Sequence, residues 1–97
     1  MATQAYPILS TVAQELHISE DALLQQGLRA LLERQLHQVK AQIFDLTGRY
    51  GVSSVEEMET RYREGTLEEA DTWRDLQRLD HLEYKRDQLV QLLETLT

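Results

Sequence analysis

The residues of this chain able to do acid–base, metal or nucleophilic chemistry are few and scattered. Its three histidines, His17, His37 and His81, are far apart in sequence, and none has a second histidine four residues on with a glutamate beside it. The helical zinc arrangement, two imidazoles one turn apart on one face, is therefore unsupported. Asp80 and His81 are neighbours, but adjacent residues on a helix point about 100° apart and do not form a dyad by themselves. No glycine-rich phosphate loop, nucleophile elbow or cysteine is present, which removes thiol catalysis, cysteine-ligated metal and disulfide frameworks. The expectation is a protein without cofactor or metal, acting through partners and not as an enzyme.

The residues suited to partner recognition lie mainly in the second half. Trp73 is the only tryptophan, and Tyr62 and Tyr84 lie on either side of it. These rings either pack a short helix onto the rest of the molecule or stand exposed as anchors, since tryptophan, tyrosine and arginine are enriched at binding hot spots. With helical spacing, Trp73 joins Leu76 and Leu79 as the expected apolar anchor, with Tyr62 beside it. Glu68 and Glu69 add charge that speeds encounter with a basic partner. Residues 1–52 hold five acids and four bases, a net of −1, whereas residues 53–97 hold twelve acids and six bases, a net of −6. The plain reading is a solvated helical face with Glu/Arg pairs; the functional one is an acidic surface for a basic protein. Either way this half repels nucleic-acid phosphates.

Helices must position these residues. Leucine, glutamine, glutamate, arginine and alanine dominate, residues that lose little freedom in a helix. The spacing predicts an all-α fold with a short helix over residues 8–16, with Leu9, Val12, Ala13 and Leu16 on one face. Residues 2–6 have an alternative as a short strand. Ser19, followed by Glu20 and Asp21, starts a long helix over residues 20–47, about 42 Å in length, ended by Gly48 and Gly51. Its stripe is Leu24, Leu28, Leu32, Leu36, Val39, Ile43, Leu46 and Tyr50, spaced by three and four as in a coiled-coil seam. Ser53 and Ser54 each precede a glutamate by three residues, so a helix starts at one of them and closes at Gly65. Thr66 with Glu69 forms another capping box, from which the last helix runs from Leu67 almost to Thr97. Its stripe is Leu76, Leu79, Leu82, Arg86, Leu89, Leu93 and Leu96.

The simplest assembly is an antiparallel hairpin of the two long helices, elaborated by the two short ones. It forms one continuous unit in two parts, 1–52 for oligomerisation and 53–97 for partner binding. A 97-residue chain buries only about 60% of its unfolded surface, which favours self-association. The expected interface is Leu24, Leu28, Leu31, Leu32 and Leu36. Without a signal peptide or an apolar run long enough to span a bilayer, the expected location is the cytoplasm, with no membrane partner.

Three resemblances give these patterns functional content. Residues 13–33, AQELHISEDALLQQGLRALLE, resemble the helix–turn–helix part of ribbon-helix-helix proteins: Ile18-Ser19 is followed by the pairs Leu23-Leu24, Gly27-Leu28 and Leu31-Leu32. His17 stands where that family usually has glycine, and Gly27 where it has alanine. The resemblance implies an intertwined dimer whose N-terminal strands read the DNA major groove. The strand here, ATQAYP, lacks the usual basic residues, leaving Thr3 and Gln4 as the possible DNA contacts. Many such proteins are antitoxins, with a dimerising first half and a second half that clasps a toxin. The segment from Tyr50 to Leu96 is also similar to small prokaryotic proteins encoded beside toxins. The resemblance thus implies an antitoxin of a type II toxin–antitoxin pair, neutralising a basic toxin by stoichiometric binding. A helical scaffold that only homo-oligomerises is the alternative. The third reading follows from Arg74 and His81, whose six-residue separation is similar to the Arg-x(4–6)-His motif of helical ribonuclease toxins, with Asp75 as the polar residue after the arginine. The net charge of −6 around that motif opposes a phosphate substrate.

Overall fold

The computed structural model describes residues 5–67 and 71–96, with side chains from Tyr6 onward. The fold is all-α, with α1 over Ala5–Leu16, α2 over Glu20–Tyr50, α3 over Val55–Arg63 and α4 over Thr72–Thr95. Ala5, Tyr6 and Pro7 belong to α1, so the strand reading for residues 2–6 fails at its last two residues. Pro7 is tolerated because a first-turn N–H has no intrahelical acceptor to lose. Residues 1–4, with Thr3 and Gln4, lie outside the described residues.

Each of the first three helices ends with two N–H groups reaching back to carbonyls of the last turn, two carbonyls in α1 and α3 and a single one in α2. In α1, His17 N–H donates to Gln14 O (3.2 Å) and Ile18 N–H to Ala13 O (3.0 Å). In α2, the N–H groups of Gly51 and Val52 both reach Thr47 O. In α3, Gly65 N–H donates to Tyr62 O and Thr66 N–H to Arg61 O. This closure needs a left-handed residue after the helix. Gly51 (φ 65°) and Gly65 (φ 72°) adopt it freely, whereas His17 (φ 57°) does so with a Cβ. Gly48 does not end α2, which passes through it to Tyr50.

Ser19 caps α2 by accepting Ala22 N–H at 3.0 Å. Of the two candidate serines, Ser54 caps α3, accepting Glu57 N–H at 3.2 Å. Ser53 instead donates its N–H (2.9 Å) and hydroxyl (2.6 Å) to Glu57 Oε2. These bonds to the ionised form hold the Glu57 carboxyl below its usual range, the Ser53 hydroxyl contributing most. The cap is completed from another element: Glu83 of α4 accepts Val55 N–H at 2.8 Å. The Thr66–Glu69 box does not start α4. The Thr66 hydroxyl donates to Arg61 O at 3.1 Å, closing α3, and α4 begins at Thr72.

Helix α4 packs along α2, and α3 folds back onto α4. The core is Val39, Leu46, Tyr50, Val52, Met58, Leu76, Leu79, Leu82 and Leu89, with Leu32, Leu36, Ile43, Val55 and Leu67 packed against it. Low numbers of α4 meet high numbers of α2, as where Asp75 meets Tyr50, so the pair is an antiparallel hairpin. The molecule measures 60 × 27 × 17 Å, with a radius of gyration of 19.5 Å, against about 13 Å for a compact domain of this length. The elongation comes from two long helices lying side by side, and the excess of 31 residues in α2 over 24 in α4 extends it further. The start of α2 runs on past the end of α4 and is met by α1, of whose described side chains Ala13 is the buried one. No helix among the described residues is long and apolar enough to cross a membrane.

Candidate functional site

The hairpin has two chemically different ends. At the open end, Ile8, Leu9 and Val12 of α1 and Leu23, Leu24, Gly27 and Leu28 of α2 line an apolar groove of about 460 Å³. Leu24 and Leu28 are each 47% exposed, and Leu31 is exposed beside them. The expected interface residues therefore divide. Leu24, Leu28 and Leu31 are open to solvent, whereas Leu32 and Leu36 pack against the chain's own core. The seam of α2 is shared, its later part covered by α4 and its first turns uncovered. A Cβ at Gly27 would meet nothing within 4 Å, so within one chain no close helix approach requires this glycine.

At the closed end, α3 and the start of α4 carry the aromatic and acidic groups. Trp73 is 54% exposed, and its ring lies 5.8 Å from that of Tyr62, tilted by 42°. The rings thus pair across α3 and α4 while remaining at the surface. Leu76 and Leu79 do not share that surface. At 6% and 0% exposure they lie in the core, because helical spacing turns them toward α2 and α3 when Trp73 faces out; Leu79 is withdrawn from any partner by burial, and Leu76 shows only an edge, in a cleft beside Trp73. Tyr84 is exposed farther along α4. Glu68 and Glu69 lie outside the described residues.

Below the aromatic pair is a polar cluster that sequence reading left unassigned. Asp75, 8% exposed, accepts the Tyr50 hydroxyl and, at 3.2 Å, Arg49 Nη1. Tyr50 was visible in sequence only as the last residue of an apolar stripe, and its hydroxyl gave no signal of a partner 25 residues away. Asp75 is therefore tied into the hairpin rather than assisting Arg74. Arg74 and His81 are both exposed on α4, two turns apart, about 10 Å along the axis. His17 and His37 are exposed as well, and among the described residues no group of three or more His, Cys, Asp or Glu could hold a metal ion.

The open end offers apolar surface without polar direction, suited to another helix surface. The closed end offers exposed aromatic rings within a half of net charge −6, suited to a cationic surface. No curated protein and no solved structure matches the chain. The pattern described as the Uncharacterized protein MJ0235 family matches residues 1–97, and the chain belongs to that family.

Proposed function

We propose that this protein acts by binding, self-associating through the apolar α1/α2 end and capturing a basic protein with the acidic α3/α4 end, as an antitoxin captures a toxin. The observation that carries the reading is the polarity of the hairpin: exposed leucines at one end, an exposed Trp73–Tyr62 pair in an acidic half at the other. A protein that dimerises at one end and captures at the other needs this separation. Acidic charge accelerates encounter, and an aromatic anchor slows release. DNA is a secondary partner in this reading, reached through residues 2–6 of paired copies.

The test is co-expression with the adjacent genes of its own operon, followed by co-purification. A small basic protein held stoichiometrically is the expected outcome, with Trp73→Ala accelerating its release at least tenfold, about 1.4 kcal/mol. Neutralisation by residues 1–52 alone refutes the division between the ends. Leu28→Asp, at a side chain exposed in the single chain, is expected to leave the helical spectrum intact and shift the sedimenting mass to monomer. A wild-type monomer at micromolar concentration refutes self-association. Deleting residues 1–6 is expected to abolish operator binding and leave the oligomer. The homo-oligomeric scaffold is favoured instead by a stable oligomer with no captured protein.

A further inference from the structure

Beside the aromatic pair, Val55 and Glu59 of α3 and Trp73, Leu76, Gln77 and Asp80 of α4 line a cleft of about 390 Å³. It has an aromatic wall in the exposed ring of Trp73, apolar lining from Val55 and Leu76, and a carboxylate from each of two helices. Glu59 is held only by an i,i+4 pair with Arg63 at 2.8 Å, both side chains largely exposed. Surface pairs of this kind are worth about 0–1 kcal/mol, so an incoming cation displaces Arg63 at little cost. Asp80 is exposed and has no hydrogen-bond or ion-pair partner among the described residues.

Resting on the capture reading above, we infer that this cleft seats one arginine side chain of the partner, its guanidinium over Trp73 and between Glu59 and Asp80. A planar, delocalised cation satisfies the three requirements together. It stacks on an indole, its donors reach carboxylates on two sides, and its methylene stem lies along apolar lining. A lysine ammonium meets the charge requirement but lacks the planar face and the forked donors. A neutral apolar side chain would fill the cleft while leaving both carboxylates unanswered. The net charge of −6 over residues 53–97 favours the cationic occupant over the apolar one.

Trp73, as the sole tryptophan, reports occupancy through its own fluorescence. The probe is the blocked peptide acetyl-Ala-Leu-Arg-Leu-Ala-amide, titrated into the full chain at low salt beside versions carrying citrulline or lysine in place of arginine. Citrulline keeps the shape and removes the charge. The expected result is saturable quenching by the arginine peptide, at least tenfold weaker binding of the citrulline peptide, and intermediate binding of the lysine peptide. Asp80→Asn and Glu59→Gln, both at exposed positions, are each expected to weaken the arginine peptide at least threefold. Glu33→Gln on α2, which removes one charge away from the cleft, is expected to change it by less than half of that. Equal binding of arginine and citrulline peptides, no binding at all, or an equal loss from Glu33→Gln overturns the inference. Capture of the partner protein that survives the combined Glu59→Gln and Asp80→Asn change overturns the cleft and leaves the capture reading standing. If no partner protein exists, capture fails and the peptide titration alone judges the cleft.

Discussion

Tyr50→Phe and Asp75→Asn, made singly and together, measure what closes the hairpin. The Asp75 side chain is 12% exposed, and its Oδ2 accepts both the Tyr50 hydroxyl and Arg49 Nη1. Hydrogen bonds to a charged acceptor contribute about 1.5–3 kcal/mol, and a buried acceptor that loses its donor also bears its desolvation. The Arg49 side chain is half exposed, so its share is under about 1 kcal/mol. The hydroxyl therefore dominates. Tyr50→Phe is expected to cost about 2 kcal/mol, Arg49→Ala less than 1, and the double-mutant cycle between Tyr50 and Asp75 to give a coupling of 1–2 kcal/mol. With a urea dependence of about 1–1.5 kcal/mol per molar for a small domain, Tyr50→Phe lowers the midpoint by more than about 1 M. The assay is urea unfolding followed by Trp73 emission and by helical circular dichroism, at one protein concentration because the proposed self-association would shift apparent stability. A coupling below about 0.5 kcal/mol, or a larger loss from Arg49→Ala than from Tyr50→Phe, refutes the assignment.

Leu79→Ala removes a fully buried side chain from the centre of the α2/α4/α3 core and is expected to cost about 3 kcal/mol by the same unfolding assay. His17→Gly relieves a left-handed residue bearing a Cβ, and is expected to raise the melting temperature through a gain of about 0.5–1 kcal/mol, the relief of strain being partly offset by a freer unfolded chain. The depressed pKa of Glu57 stabilises the fold at pH values above its unfolded pKa, and that contribution is lost as pH falls through the lower folded value. Glu57→Gln is therefore expected to lower the urea midpoint at pH 6 and to approach the wild type at pH 3; equal differences at both pH values refute it.

The hairpin was legible because its cause is repeated. Leu76, Leu79, Leu82 and Leu89 on one helix and Val39, Leu46 and Tyr50 on the other follow a three-and-four spacing that only a helix pair buries. Ends were read less well where several hydroxyls competed. Thr66 satisfies the capping-box pattern as well as Ser54 does, but its hydroxyl serves the end of α3, and only tertiary position decides between the two. Helical spacing also grouped Trp73 with Leu76 and Leu79, although three residues on a helix turn the side chain by about 60° from its starting direction and the boundary between surface and core falls within that angle. The cleft between Glu59 and Asp80 joins residues 21 apart in sequence on different helices, and no local pattern signals such a meeting. In sequence Asp75 stands only as the polar residue after Arg74, because its partners, Tyr50 and Arg49, lie across the hairpin.

The attachment of α1 has a dynamic consequence. Among its described side chains only Ala13 is buried, and its corner with α2 turns on the left-handed His17. Opening this element sacrifices little buried area and releases backbone strain, so its amides exchange with solvent through local opening well before those of α2 and α4. A detached helix of 12 residues is too short to persist alone in water, so α1 melts as it leaves. A second surface that covers Ile8 and Val12 binds the docked form of this segment, so its affinity falls only by the fraction of time that α1 stands open.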